Sequence, residues 1–364
     1  MLLWPCEGVN VASGWRRAVS GTTSPRPRRP EAATIAKIAQ EAGVSAPTVS
    51  KVLNGRADVS AGTRARVEAL IRQHGYQRRG SGRPPASPML ELVFHELESA
   101  WAVEVIKGVT RVAQEEGLSV VLSESAGSTT PGQSWVDGVF ARRPLGAILV
   151  LSNLSDTQHT QLRTRGIPFV VVDPAGDPGE GVPAIGSANW NGGLVATRHL
   201  IELGHRRIGV IGGPPSMLCS RARLDGYRAA LETAGLVIDP ALIRTGDFHV
   251  EGGYENGKAL LRMPDPPTAI FAGSDLQALG LYGAARELGV RIPEDLSVVG
   301  YDDLPVARWV GPPLTTVRQP LTEMAEAAAR LVVSISRGEQ PTNLRLDLAT
   351  SLVTRQSTTA ARGA

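Results

Sequence analysis

A helix that ends on glycine and runs directly into an apolar stretch recurs along most of this sequence. It appears as VAQEEGLSVVL, LRTRGIPFVVVD, LIELGHRRIGVIGG and ARELGVRIPEDLSVVG. Glycine takes the left-handed conformation that closes a helix, and the chain then enters the next strand. Strands that alternate with helices build parallel α/β sheets, because parallel neighbours need a crossover between them. Leu90–Phe94, Ala147–Leu151, Phe169–Val172, Ile208–Ile211, Ala269–Ala272 and Ser297–Val299 read as buried strands of this kind. The pattern is too long for one ordinary sheet, so two lobes are expected over residues 89–357.

The pattern stops short of the N-terminus. Residues 1–30 lack periodicity and end in SPRPRRP, which predicts a disordered basic tail. From 31 to 79 three short helical patterns follow one another. Ile35, Ile38, Ala39 and Ala42 recur at helical spacing before Gly43; Ser45 is placed to cap a second helix carrying Val49, Val52 and Leu53. A third helix starts at Ser60 or Thr63, carries Val67, Leu70 and Ile71, and stops at Gly75. Residues 80–88, GSGRPPASP, form a linker, and 358–364 a short C-terminal tail.

Charge divides at the same place. Residues 1–88 hold 14 Lys and Arg against 5 Asp and Glu; the rest hold 24 against 30, so a net charge of +3 conceals a basic segment on an acidic body. That asymmetry points to a polyanion-binding module attached to something else. Cys6 and Cys219 make neither a disulfide scaffold nor a zinc spacing, and no run approaches 18 apolar residues, so a reduced, cytoplasmic protein without a membrane span is expected.

Catalytic motifs are missing. There is no G-x-x-x-x-G-K-[ST] and no G-x-S-x-G elbow, while Pro214 and Pro215 remove the amide donors that a phosphate cradle at Gly212-Gly213 would need. His159, His199, His205 and His249 have no companion at metal spacing. No enzyme activity, cofactor or metal site is expected.

The spacing Ala39, Gly43, Val49 suits a helix-turn-helix: a small residue at the crossing, glycine in the turn, and a β-branched residue locking the second helix. Residues 34–76, TIAKIAQEAGVSAPTVSKVLNGRADVSAGTRARVEALIRQHGY, resemble the headpiece of the LacI/GalR family of transcriptional regulators in GVS, TVSKVLNG, VS-x-x-TR and the closing GY. The resemblance continues through GHRRIGVIGG, RLDGYRAAL, TAIFAGSDLQALG, PEDLSVVGYDD and PPLTTVRQP, covering roughly 34–356. It implies a small all-α helix-turn-helix domain followed by a two-lobed α/β domain with parallel sheets, of the periplasmic binding protein-like type I, with an effector in the cleft.

Carried over by position, the resemblance places Ala46, Pro47 and Lys51 on the base-reading face of the second helix. It places Thr34, Ser45, Thr48, Ser50, Asn54 and Thr63 at phosphates. Lysine can donate to guanine, whereas Ala46 and Pro47 offer only apolar contact, as to a thymine methyl. Relatives carry a leucine in a hinge helix after the headpiece. Residues 77–85, QRRGSGRPP, have none and several helix breakers, leaving Arg78, Arg79 and Arg83 either as minor-groove arginines or as parts of a flexible basic linker.

In the body, Trp101 matches a family position that stacks on ligand, and His95 and Glu98 stand in the same loop region after the first strand. Arg223 matches the family's ligand anchor and Asp247-Phe248 an acidic-aromatic pair at the cleft. Asp275 and Asp302 follow strands at carboxyl ends, where carboxylates accept sugar hydroxyls. An N-cap role competes for Asp275; Asp303 and Gln319 are secondary candidates, and Trp190 reaches either the cleft or a crossover. The expected protein is a repressor of carbohydrate uptake or catabolism genes that binds a pseudo-palindromic double-stranded operator as a homodimer, controlled by a small sugar or oligosaccharide. A purine-like corepressor on the same architecture, or a solute-binding protein without DNA function, are the alternatives.

Overall fold

The N-terminal domain closes around a few apolar side chains supplied at helical spacing. In the computed structural model, which describes residues 34–53, 59–74, 76, 86–97, 100–125, 128–179 and 181–362, three helices form it: α1 (Ile35–Ala42), α2 (Ala46–Leu53) and α3 (Ala61–Gln73). Ile38, Ala39, Val49, Val52, Val67 and Ile71 bury their side chains against one another. Gly43 ends α1 with φ 65°, the left-handed turn that α2 needs to fold back. The tail 1–30 and Asn54, Arg78, Arg79, Arg83 and Glu98 lie outside the described residues.

The body follows as β1 (Ser87–Phe94), α4 (Ala100–Glu115), β2 (Ser119–Glu124), α5 (Gln133–Arg142), β3 (Pro144–Val150), α6 (Asp156–Arg165), β4 (Phe169–Val172) and β5 (Ala184–Ser187) in a first lobe. The second holds α7 (Asn189–Glu202), β6 (Ile208–Gly212), α8 (Leu218–Thr233), β7 (Ile243–Thr245), α9 (Val250–Leu261), β8 (Ala269–Ala272), α10 (Asp275–Glu287), β9 (Ser297–Asp302), α11 (Val306–Trp309) and β10 (Thr315–Arg318). Then α12 (Leu321–Ser336) and β11 (Arg345–Leu348) return to the first lobe, and β12 (Ser351–Val353) to the second.

The sheets run β11-β5-β4-β3-β1-β2 and β12-β10-β9-β8-β6-β7. Every pairing is parallel except β10 with β12. Helix α12 joins the first lobe because Leu321, Met324, Ala325, Ala328, Ala329, Val332 and Val333 form one apolar stripe. Gly108 of α4 lets that stripe approach, since a Cβ there would collide with the Thr322 carbonyl. The chain therefore crosses between lobes near 187–189, 318–321 and 348–351.

Several boundaries differ from expectation, β9 running on to Asp302 among them. Ser87 and Pro88, assigned to the linker, already open β1, where the Ser87 hydroxyl donates to the Arg142 carbonyl. Leu151 lies past the end of β3, at φ 48°. Residues 358–361, read as tail, are fastened to the second lobe: Thr358 bonds His199, the Thr359 carbonyl faces His205, and the Ala361 N–H donates to the Leu203 carbonyl. No helix among the described residues is long and apolar enough to cross a membrane.

Candidate functional site

On the N-terminal domain the polar residues named from the sequence cluster at helix starts. Thr34 caps α1 by accepting from the Lys37 N–H. Ser45 accepts from the Thr48 N–H, with the two hydroxyls 2.9 Å apart, and Ser60 accepts from the Thr63 N–H while donating to its hydroxyl. Helix N-termini present unpaired N–H groups and positive dipole ends, which suit phosphates. Ala46, Pro47 and Lys51 are exposed on α2, with Pro47 and Lys51 one turn apart, while Val49, Val52 and Leu53 on its other side are buried. One face of α2 is thus anchored and the other is available to a groove.

Between the two lobes lies a cleft enclosing roughly 690 Å³ of non-protein space, the open solvent at its mouth included. Trp101, His95, Asp173 and Leu151 line it from the first lobe, and Arg223, Phe248, Asp247 and Asp302 from the second. Most of these sit just past the carboxyl ends of strands, as expected of a parallel sheet. Four of them hold positive φ without being glycine: Leu151 at 48°, Asp173 at 48°, Phe248 at 71° and Asp302 at 112°. Backbone strain of about 1–3 kcal/mol per residue concentrates where side chains must be aimed.

Arg223 is the hub. Its guanidinium is buried and donates from Nε to Asn189 Oδ1 (2.8 Å), from Nη1 to the Gly273 carbonyl (2.6 Å) and from Nη2 to Gln319 Oε1 (3.0 Å). It also lies over the Tyr301 ring, with Cζ 3.7 Å from the centroid, and 5.4 Å from that of Phe248. Asn189 and Gln319 stand at two crossovers, and both turn their amides to Asp173 of the first lobe, at 3.3 and 3.4 Å. A single network therefore runs from one lobe through two hinges to the other.

Helix packing places this hub. A Cβ at Gly193 of α7 would strike the Arg223 carbonyl, and one at Gly226 of α8 would strike the Trp190 carbonyl. Two glycines facing each other's backbones let α7 and α8 meet closely enough for Arg223 to reach Asn189. Gly213, part of the glycine pair considered for phosphate, instead leaves room for the Phe248 ring.

Burial holds several ionisable groups of the cleft away from their charged forms. Burial, then the Asp173 charge, push the Asp302 carboxyl up to about 7 against the opposing pull of Arg223, whose Nη1 is 3.8 Å away. Asp302 Oδ1 is buried and finds no hydrogen-bond partner. Burial likewise raises Asp173, and burial with Asp173 pushes the Cys219 thiol up to about 12, so it is an uncharged wall at neutral pH. His95 is held below the usual imidazole range by burial, and its Nδ1 too is unpartnered. At the mouth, Glu96 of the first lobe faces His249 of the second at 3.3 Å.

Trp101, His95, Arg223, Phe248 and Asp302 thus meet at one cleft. Asp275 does not. It is wholly buried at the start of α10, accepting from the Leu304 N–H and the Thr316 hydroxyl, while Ser274 takes the N-cap by accepting from the Gln277 N–H. Asp275 fails as a cleft residue because its carboxylate is consumed in tying α10 to β10 and the segment after β9. Asp303 is likewise engaged by Arg318 and Arg355. The sequence reading missed Asp173, Asn189 and Tyr301; FVVVD carried a signal for the first, an acid directly after a strand, and nothing local marked the others.

The comparisons agree with this geometry. Residues 34–79 match the description "Bacterial regulatory proteins, lacI family", and residues 197–358 match "Periplasmic binding protein-like domain". The chain is 36% identical over 342 residues to the HTH-type transcriptional regulator CelR of Thermobifida fusca, covering 91% of this chain and 99% of that one. Among solved structures, a transcriptional regulator CelR–cellobiose complex superposes with TM-score 0.69 at 36% identity, covering 90% of this chain and all of the other. The lac repressor dimer bound to operator and the anti-inducer ONPF gives 0.66 at 28% identity, covering 91% and 100%. The likeness runs along nearly the whole length, from the helix-turn-helix through both lobes, and the chain belongs to the lacI family of bacterial regulatory proteins.

Proposed function

We propose that this chain is an operator-binding repressor whose DNA affinity is set by a neutral sugar of mono- or disaccharide size, held between the lobes. The observation that carries the reading is the unpartnered, buried Asp302 Oδ1 beside Arg223 in a cleft that also presents Trp101 and Phe248. Buried acceptors without partners are rare, and a ligand hydroxyl meets this one's need. Aromatic faces take the C–H surface of a sugar. Asp247 and Glu96 line the cleft together with the cation Arg223, which leaves an anion no net attraction there. The relative solved with cellobiose supports a β-linked disaccharide as the first effector to try.

Ala46, Pro47 and Lys51 read base edges in the major groove, with Lys51 supplying the hydrogen-bonding contact, while Thr34, Ser45, Thr48, Ser50 and Thr63 face phosphates. The site acts at the nucleoid in the cytoplasm as a homodimer on a twofold operator. Exposed Val103 and Leu122 on the first lobe and Val250 and Trp309 on the second supply apolar surface for a partner copy. An effector that binds the closed arrangement of the lobes more tightly than the open one shifts the population and re-spaces the N-terminal domains.

Mobility shifts on the DNA upstream of its own reading frame, with and without cellobiose, test this. Lys51→Ala should lose discrimination between operator and random DNA by about 1–3 kcal/mol. Trp101→Ala should bind operator normally but no longer respond to sugar. Uniform weakening on all DNA in the first variant, or an intact response in the second, rejects the corresponding assignment.

A further inference from the structure

Trp190 does not line the effector cleft. It stands half exposed on a second cavity of roughly 800 Å³ of non-protein space, mouth included, that shares Asp173 and Cys219 with the cleft. Ser187 and Ala188 of the first crossover and Asn191 of α7 line this second cavity, and Asp347 of β11 lines it next to the third crossover. The Ser187 hydroxyl is buried there and finds no hydrogen-bond partner. Helix α7, whose first turn borders the cavity, has no side-chain cap, so its leading N–H groups receive no side-chain acceptor.

These features match one class of ligand. An indole face offers a platform for a pyranose or furanose ring, Asp347 accepts hydroxyl protons, and Ser187 and the start of α7 border the cavity. The Asp347 carboxylate on the rim opposes an anion even at a helix N-terminus. We propose that this cavity is a second, regulatory saccharide site at the hinge, distinct from the cleft. Because Asp173 and Cys219 form a wall of both cavities, occupancy of one changes the other's affinity, and the coupling is reciprocal.

The test uses the full chain labelled with 5-fluorotryptophan, the Trp190 fluorine resonance being assigned by its loss in Trp190→Phe. Glucose, galactose, ribose, cellobiose and maltose are titrated separately into the wild type and into Trp101→Ala, in which the cleft is disabled. At least one sugar should shift the Trp190 resonance saturably in both proteins. Asp347→Asn and Ser187→Ala, at an exposed edge strand and a small-for-small exchange respectively, should each weaken that response by about tenfold. If no sugar moves the resonance, or if the shift vanishes in Trp101→Ala so that Trp190 merely reports cleft closure, the second site is refuted. Failure of the cleft reading would show elsewhere, as sugar-driven operator release that survives Trp101→Ala.

Discussion

The N-terminal domain and the cleft solve their recognition problems in opposite ways. In the former, anchoring residues and those proposed to meet DNA interleave within single helices: α2 buries Val49, Val52 and Leu53 and exposes Ala46, Pro47 and Lys51. Caps are made by neighbours three residues away, as with Ser45 and Thr48. In the cleft, Arg223 bonds groups 34, 50 and 96 residues distant, and each depends on the packing of another element. Local contacts tolerate independent change; a distant, buried network does not, because every member is desolvated and leaves its partners unpaired when removed.

The sharpest way to break this contrast is Arg223→Ala. Removing the guanidinium leaves Asn189, Gln319 and the Gly273 carbonyl short of a donor and Asp302 short of its cation, with an expected loss of about 3 kcal/mol or more in urea denaturation. Effector response should vanish with it. A loss as small as that of an exposed substitution would show that the network is not the keystone the geometry makes it.

A pH titration probes the same region more gently. Asp302 holds its proton up to about pH 7 in the free protein, and ionisation strengthens its unpartnered Oδ1 as an acceptor for a sugar hydroxyl. Effector affinity should therefore rise with pH through about 7 and fall by up to about tenfold per unit below it. Stability runs the other way: a carboxyl raised from 3.8 contributes most at low pH, and that contribution is lost as pH rises through 7. Isothermal titration across this range should show the slope, and Asp302→Asn should flatten it; a flat wild-type profile would mean that Asp302 does not meet the ligand.

Smallest is Ser60→Ala. It removes the cap of α3 and should cost about 1 kcal/mol, seen as a local loss of amide protection in that helix with cleft affinity unchanged. A change in effector affinity would show that the α3 cap itself takes part in coupling the two regions.

Legibility followed the same division. Gly43, the cap at Ser45 and the buried faces of α1 to α3 were readable because each depends on spacings of three or four residues. Central strands such as Phe169–Val172 and Ala269–Ala272 were readable as short apolar runs. The edge strands β7, β11 and β12 were not, since IRT, RLDL and SLV are too short or too polar to signal a sheet. Asp275 and Asp302 look alike in sequence, each an acid at a strand's carboxyl end. Tertiary packing separated them, giving Asp275 the Thr316 hydroxyl and the Leu304 N–H and leaving one oxygen of Asp302 open.

By itself, then, the sequence determined the alternation of helices with central strands, the division between a basic N-terminal segment and an acidic two-lobed body, and the residue types available for DNA and for a ligand. Periodicity, glycine placement and charge are properties of neighbouring residues, and they survive in one dimension. Which lobe α12 joins, which carboxylate faces the cleft, and how Arg223 links Asp173 to Asp302 were decided only in three dimensions. Those outcomes rest on close approaches such as Gly193 to Gly226 and on desolvation, which exist only once distant segments share a core.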